Sequence, residues 1–157
     1  FRHPQDPGRW RGVRPATQYS AAAVQHVMDV ATAPANVHGV PQMLAPSQYE
    51  EDCLYLNIWE PAHNAQKLPV YVWYFGGGLQ VGNTTEMEFD GERIAHRGVI
   101  LVSVAYRVNV FGFLCHPELT AEDPEQPANF GLLDQRAGLE WVKNNIAFFG
   151  GGACVGF

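Results

Sequence analysis

The sequence predicts an α/β fold, and the prediction depends on two apolar runs with a helical segment between them. Residues 69–75 are apolar at odd and even positions alike, and these positions face opposite sides of a strand. Such a run is typical of a strand that is covered on both faces of a sheet. A second apolar run at 99–105 follows a short helical segment at 92–97. The order strand, crossover and strand indicates neighbouring parallel strands with helices packed on the sheet.

Further elements flank this unit on both sides. Residues 53–59 mix aromatic and β-branched side chains before Pro61, which predicts another strand. Most of residues 1–50 is rich in Pro, Gln, Ala and Gly and is expected to be irregular covering structure, with a weak helix at 19–30.

A long helix is predicted after Asn129, whose side chain is expected to cap it. Its inward face is expected to carry four apolar residues: Leu132, Leu139, Val142 and Ile146. The glycines at 150–152 should end it. Trp141 and Phe148 are expected to pack in the core rather than contact a ligand.

Composition places residues 1–157 in one globular domain, because 46% of the chain is hydrophobic and 17% is charged. The net charge of -6, with Lys and Arg scattered, argues against nucleic acid as a partner. No apolar stretch approaches the roughly 18 residues of a membrane span. The cysteines and histidines lack the close spacing of zinc ligands, so we expect no metal and no cofactor.

Three consecutive glycines, Gly76, Gly77 and Gly78, follow the first apolar run. Such a run lets backbone N–H groups turn outward, and in acyl transfer these donors stabilise the tetrahedral oxyanion. Taken alone, the glycines also fit a flexible turn. A phosphate-binding loop is excluded, because no Gly-Lys-Ser/Thr follows and Val81 stands where G-x-G-x-x-G requires Gly.

The segments around this loop resemble the type-B carboxylesterase and cholinesterase family. The segment at 51–61 reads Glu-Asp-Cys-Leu-Tyr-Leu-Asn-Ile-Trp-Glu-Pro and is similar to the second signature of that family. Similar segments follow in the family's order and spacing at 106–114, 129–135 and 141–151. Family members are several times longer. The resemblance therefore implies a partial α/β-hydrolase fold, a central mostly parallel sheet with flanking helices, truncated at both ends.

By this resemblance, Gly77 and Gly78 would supply two oxyanion N–H groups, and Gly76 would allow the turn. Gly76, Phe75 and Leu79 are the candidates for the substrate pocket. Many members have His or Tyr in place of Phe75, and Phe is usual in place of Leu79. The G-x-S-x-G serine would lie beyond this sequence.

The resemblance implies that the parent protein is a serine esterase acting on small carboxylic esters, and that this fragment alone is a poor catalyst. Two alternatives stay open, a non-catalytic cholinesterase-like binding or adhesion protein and an inactive truncated remnant. The oligomeric state stays open as well.

The cysteines depart from the family pattern. Ala23 occupies the place of the cysteine that bridges to Cys53 in many members, so Cys53 is expected to be a buried small hydrophobe or a free thiol. An odd cysteine count fits a reducing compartment slightly better than a secreted one, and localisation stays open. The sequon at Asn83 matters only for a secreted protein.

The last residues, 152–157, form an atypical tail. Gly152 to Gly156 fit G-x-C-x-G around Cys154. A nucleophile elbow needs a strand before it and a helix after it, so we do not expect Cys154 to be catalytic.

Overall fold

The computed structural model describes residues 2–26, 48–62, 66–86, 90–125 and 128–152. Five strands and four α-helices occur in these ranges, and a 3-10 helix at Ile146–Phe149 follows the last of them. In chain order they are β1 (Ala22–Ala23), β2 (Tyr49–Glu50), β3 (Leu56–Trp59), β4 (Val70–Tyr74), α1 (Glu92–Ala95), β5 (Ile100–Val104), α2 (Asn109–Phe113), α3 (Pro117–Glu122) and α4 (Phe130–Asn145).

The central sheet has the strand order β3-β5-β4. β5 is parallel to β4, with Val70 opposite Ile100, and the crossover between them contains α1. This confirms the predicted strand, crossover and strand. β3 is antiparallel to β5 on the other side, with Leu56 opposite Val104. Every residue of β5 is buried, as expected for the middle strand of the three.

β4 is covered on only one face, so the prediction that both of its faces are buried was wrong for the described residues. Val70 and Val72 pack into the core cluster beneath α4. Tyr71 is 48% exposed and stacks on Trp73, with ring centroids 6.2 Å apart. Side chains alternate along a strand, so these two aromatic rings lie on the face opposite α4.

The chain returns to the free edge of β4 after the 3-10 helix. Leu68 and Gly151 form a parallel bridge. The N–H of Leu68 donates to the Gly150 carbonyl at 3.0 Å, and the N–H of Gly152 donates to the Leu68 carbonyl at 2.8 Å. The segment leaving the 3-10 helix therefore runs in the same direction as β4.

The inward face of α4 differs from the predicted one. Val142 and Ile146 are buried against β5, as expected. Leu132 and Leu139 are exposed, because the buried stripe passes through smaller and polar residues toward the start of the helix. The buried residues toward that end are Phe130, Gly131 and Asp134, and the half-buried Gly138 lies against Val104.

The ends of α4 correct two further predictions. Asn129 precedes the helix with a φ of 63°, and its side chain makes no capping hydrogen bond. Its carbonyl accepts the N–H groups of Leu132 and Leu133 instead. Phe148 is 86% exposed, so the expected core position was wrong. Phe149 packs near Trp141 in its place, with ring centroids 6.1 Å apart.

The described parts of the N-terminal segment, residues 2–26 and 48–50, are largely irregular, as predicted. The helix expected at 19–30 does not form at 19–26, where Ala22 and Ala23 pair in parallel with Tyr49 and Glu50. Residues 27–30 lie outside the described ranges. Across the described ranges, no helix combines the length and the apolar character that crossing a bilayer requires.

Candidate functional site

The glycine loop, residues 75–82, begins directly after β4, and its backbone is left-handed over three consecutive residues. The φ values are 121° at Gly77, 64° at Gly78 and 62° at Leu79. A Cβ at position 77 would collide with the carbonyl oxygen of Val81. Glycine is therefore required at position 77 for both its φ and the space around it, and it is favoured at position 78 by its φ. Leu79 adopts a conformation that costs a non-glycine residue about 1–2 kcal/mol.

The N–H groups of Gly77 and Gly78 donate no hydrogen bond to any part of the chain that the structure describes, and both residues are exposed. The Gly77 carbonyl points back into the loop, where it accepts the N–H of Gln80 at 3.1 Å and that of Val81 at 3.3 Å. Two adjacent free donors next to a closed turn are the kind of group that binds a negatively charged oxygen.

Phe75, the first residue of the loop, anchors it to the core. Its side chain is only 3% exposed and stacks on the Tyr106 ring at a centroid distance of 4.3 Å. The Tyr106 hydroxyl donates to the Phe75 carbonyl at 2.7 Å. Burial raises the pKa of Tyr106, so its phenol stays protonated and keeps donating at neutral pH. A role for Phe75 in a substrate pocket stays a prediction, as does the role of Leu79, which is exposed at the loop surface.

A buried ion pair joins two of the segments that resemble the family. Arg107, just after β5, donates from Nε to Asp134 Oδ2 at 2.8 Å and from Nη2 to Oδ1 at 2.7 Å. Its backbone N–H adds a third bond to Oδ2 at 3.0 Å. The Asp134 carboxylate is fully buried. The pair fixes α4 to the end of β5.

Cys53 is a buried small hydrophobe, one of the two expected outcomes. It is 1% exposed and belongs to a core cluster with Ala23, Phe75 and Tyr106. Ala23 and Cys53 thus occupy one cluster, and their correspondence to the bridged pair of the family stays a prediction. Burial raises the pKa of the Cys53 thiol to about 11, which makes it a poor nucleophile.

Two further polar residues that the structure describes, Ser103 and Asn83, are buried. Ser103 is fully buried within β5, which agrees with a structural role. Asn83 is also buried, and its Oδ1 accepts the N–H of Thr85 at 2.8 Å, so the sequon is not accessible in the folded chain. Cys154 lies outside the described residues. Among the residues that are described, no group of three or more His, Cys, Asp or Glu side chains could hold a metal ion.

The carboxylesterase family model matches residues 1–153. The chain belongs to the carboxylesterase family. It is 38% identical to a cholinesterase of Mus musculus and 41% identical to an acetylcholinesterase of Bungarus fasciatus, each over 96% of this chain. It is also 36% identical to a fumonisin B1 esterase of Sphingopyxis macrogoltabida, again over 96% of its length.

Membership of the carboxylesterase family confirms the resemblance and implies the α/β-hydrolase fold. The chain spans about a quarter of the relatives it matches, 24% of the two cholinesterases and 26% of the fumonisin B1 esterase. The parallel β4–β5 pair and the pairing at Gly151 agree with the sheet of that fold.

The sequence predicts the glycine loop of this carboxylesterase-family chain but not the residues that hold it. Tyr106 and Asn109 lie in the segment at 106–114 that resembles the family, and no pattern singles out Gln25. Gln25 lies 57 residues from Gly82, its partner in the loop, so no local pattern signals the contact.

Proposed function

We propose that the parent protein containing this chain hydrolyses carboxylic esters, and that the N–H groups of Gly77 and Gly78 bind the oxyanion. The observation that carries the proposal is the pair of exposed, unpaired N–H groups in a loop whose left-handed backbone is fixed. The relatives support it, because a cholinesterase, an acetylcholinesterase and a fumonisin B1 esterase align over nearly the whole chain.

The chemistry requires donors aimed at the oxygen that becomes negatively charged. When a serine hydroxyl attacks the ester carbonyl carbon, the carbonyl oxygen becomes an oxyanion in the tetrahedral intermediate. Donors held about 2.7–3.1 Å from that oxygen stabilise it, and the loss of one donor costs about 10²–10³-fold in kcat. Gly77 and Gly78 would provide two such donors without using any side chain.

The pairing at the free edge of β4 supports a position for the nucleophile next to these donors. Leu68 and Gly151 begin a parallel ladder on that edge. A strand of the parent that extends this ladder would end at the same edge of the sheet as β4, beside Phe75 and the glycine loop. In the α/β-hydrolase arrangement a serine elbow follows such a strand. The chain alone would then supply donors but no nucleophile.

The test uses the full-length parent and a matched pair of glycine variants. Hydrolysis of 4-nitrophenyl acetate and butyrate is measured, together with covalent labelling by a fluorophosphonate, which reports an activated serine. Gly77→Ala should reduce kcat/KM by about a hundredfold, because the added Cβ displaces the loop. Gly8→Ala is the control, because Gly8 is exposed and a Cβ there meets no atom within 4 Å.

Two results would contradict the proposal. A correctly folded parent that neither hydrolyses these esters nor reacts with the fluorophosphonate is not a serine esterase, and the binding-protein alternative would then replace it. A parent in which Gly77→Ala hydrolyses esters as fast as the unmodified protein does not use this loop as its oxyanion hole.

A further inference from the structure

One side chain binds both backbone polar groups of Gly82, the last residue of the glycine loop. Gln25 Oε1 accepts the Gly82 N–H at 2.7 Å, and Gln25 Nε2 donates to the Gly82 carbonyl at 2.8 Å. Nε2 also donates to the Ala23 carbonyl at 3.1 Å. A side-chain carboxamide carries a donor and an acceptor in one planar group, so it can satisfy both groups of a single residue. Glutamate lacks the donor and methionine lacks both groups.

Gly82 packs directly against the residues at the start of the loop. Its φ is 124°, and a Cβ there would lie 2.5 Å from both the Gly76 carbonyl oxygen and the Phe75 ring. The preceding residue, Val81, donates its N–H to the Gly77 carbonyl, and its own carbonyl lies directly against Gly77. A shift of Gly82 is therefore transmitted to the peptide units on either side of Gly77.

Asn109 holds the middle of the loop through its backbone N–H and connects through its side chain to the same N-terminal segment. The Asn109 N–H donates to the Leu79 carbonyl at 2.7 Å. Its Nδ2 donates to the carbonyl of Val24, the residue before Gln25, at 2.9 Å. The loop is thus held from its end by Gln25 and from its middle by Asn109.

We propose that Gln25 is a positioning residue for ester hydrolysis. Its carboxamide fixes Gly82 and, through the contact of Val81 with Gly77, fixes the direction of the Gly77 and Gly78 N–H groups. The inference rests on the proposed function. Oxyanion donors act because they need no reorganisation during the reaction, and a misplacement of about 1 Å can cost about a hundredfold in rate.

The test compares Gln25→Met with the unmodified full-length parent on an ester and on the thionoester of the same acid and alcohol. Methionine has a similar length and removes both hydrogen bonds to Gly82. Sulfur accepts hydrogen bonds weakly, so a thionoester gains less from oxyanion donors than an ester does. We expect kcat for the ester to fall about tenfold or more, with KM within about threefold, and the ester-to-thionoester ratio of kcat/KM to fall with it.

Two further variants keep the test decisive. Gln18→Met is the matched control, because Gln18 is exposed in the same N-terminal segment, and all its parameters should equal those of the unmodified parent. If Gln25→Met does not fold, Gln25→Glu replaces it. This variant keeps the acceptor for the Gly82 N–H, loses the donor, and should also lower the ester-to-thionoester ratio.

The outcomes separate the inference from the proposed function. An unmodified parent that hydrolyses no ester overturns both. A parent that hydrolyses esters, with an unchanged ester-to-thionoester ratio in the Gln25 variants, overturns the inference alone. A lower thermal stability of the Gln25 variants with an unchanged ester-to-thionoester ratio also overturns the inference alone. It would show that Gln25 stabilises the fold without positioning the donors.

Discussion

Cys53 and Cys115 differ in exposure, one of the properties that control thiol reactivity. Cys53 is 1% exposed, and burial raises its pKa to about 11, with Asp134 adding to the shift and Arg107 opposing it. Cys115 is exposed. Since the thiolate is the reactive form, we expect iodoacetamide at about pH 7.5 to alkylate Cys115 and to leave Cys53 unmodified. Mass spectrometry of the tryptic peptides measures both.

Unfolding supplies the control for this labelling experiment. In concentrated urea both cysteines should react, because Cys53 then regains an ordinary pKa and contact with the reagent. If Cys53 reacts in the folded protein as fast as Cys115, it does not occupy the closed cluster with Ala23 and Phe75.

The residues of the site differ in how well the sequence reveals them. The sequence singles out Gly77, because few local structures account for a run of glycines directly after an apolar segment. Gln25 is not visible, because its importance comes from a single backbone partner 57 residues away. The hydrogen bond from Tyr106 to Phe75 is equally non-local, at a separation of 31 residues.

At the scale of elements, two ion pairs on α4 provide a comparison of buried and exposed charge. Asp134 pairs with Arg107, and both side chains are largely buried. Glu140 pairs with Arg136 one turn away along the same helix, and both are exposed. Asp134→Asn should lower the free energy of unfolding by about 3 kcal/mol, because it leaves the Arg107 charge buried without its counterion. Urea denaturation followed by circular dichroism measures the change.

Glu140→Gln is the matched control, since it makes the same chemical change in an exposed pair. It should change the free energy of unfolding by less than about 0.5 kcal/mol. Equal effects of the two substitutions would mean that the Arg107–Asp134 pair does not fix α4 to the sheet.

The elements themselves follow from the sequence more closely than their contacts do. The apolar run at 99–105 predicts the fully buried β5, and the helix after Asn129 is where it was expected. Two residues of the predicted inward face of α4, Val142 and Ile146, are buried, but Leu132 and Leu139 are exposed. Asp134 and Gly138 take the place of the leucines, because Arg107 satisfies the carboxylate and Val104 fills the space where a Cβ at 138 would lie. Both partners belong to a distant part of the chain.

At the scale of the whole molecule, the sheet is covered unequally on its two faces. α4 packs on one face. On the other face, a groove of about 580 Å³ lies between α1 and the sheet. It is lined mainly by apolar and aromatic side chains, Tyr71, Trp73, Ile94, Val99 and Leu101, with Asp90 and Arg97 beside them. Apolar surface of this kind promotes association when nothing covers it.

The isolated chain should therefore self-associate and bind the dye ANS strongly, as expected for a sheet with a bare face and a free edge. Light scattering and ANS fluorescence measure these two properties, and the full-length parent at equal molar concentration is the control. A monodisperse isolated chain that unfolds in one sharp thermal transition and binds no more ANS than the parent would contradict this prediction.

The contacts that shape the glycine loop have a consequence for synthesis on the ribosome. Gln25, Tyr106 and Asn109, which hold Phe75, Leu79 and Gly82, all precede α4 in the chain. A nascent polypeptide that has emerged through α2 already contains every one of these partners. We therefore expect the loop to reach its shape early in the synthesis of a carboxylesterase-family protein of the length of these relatives, before the later part of the sheet is translated.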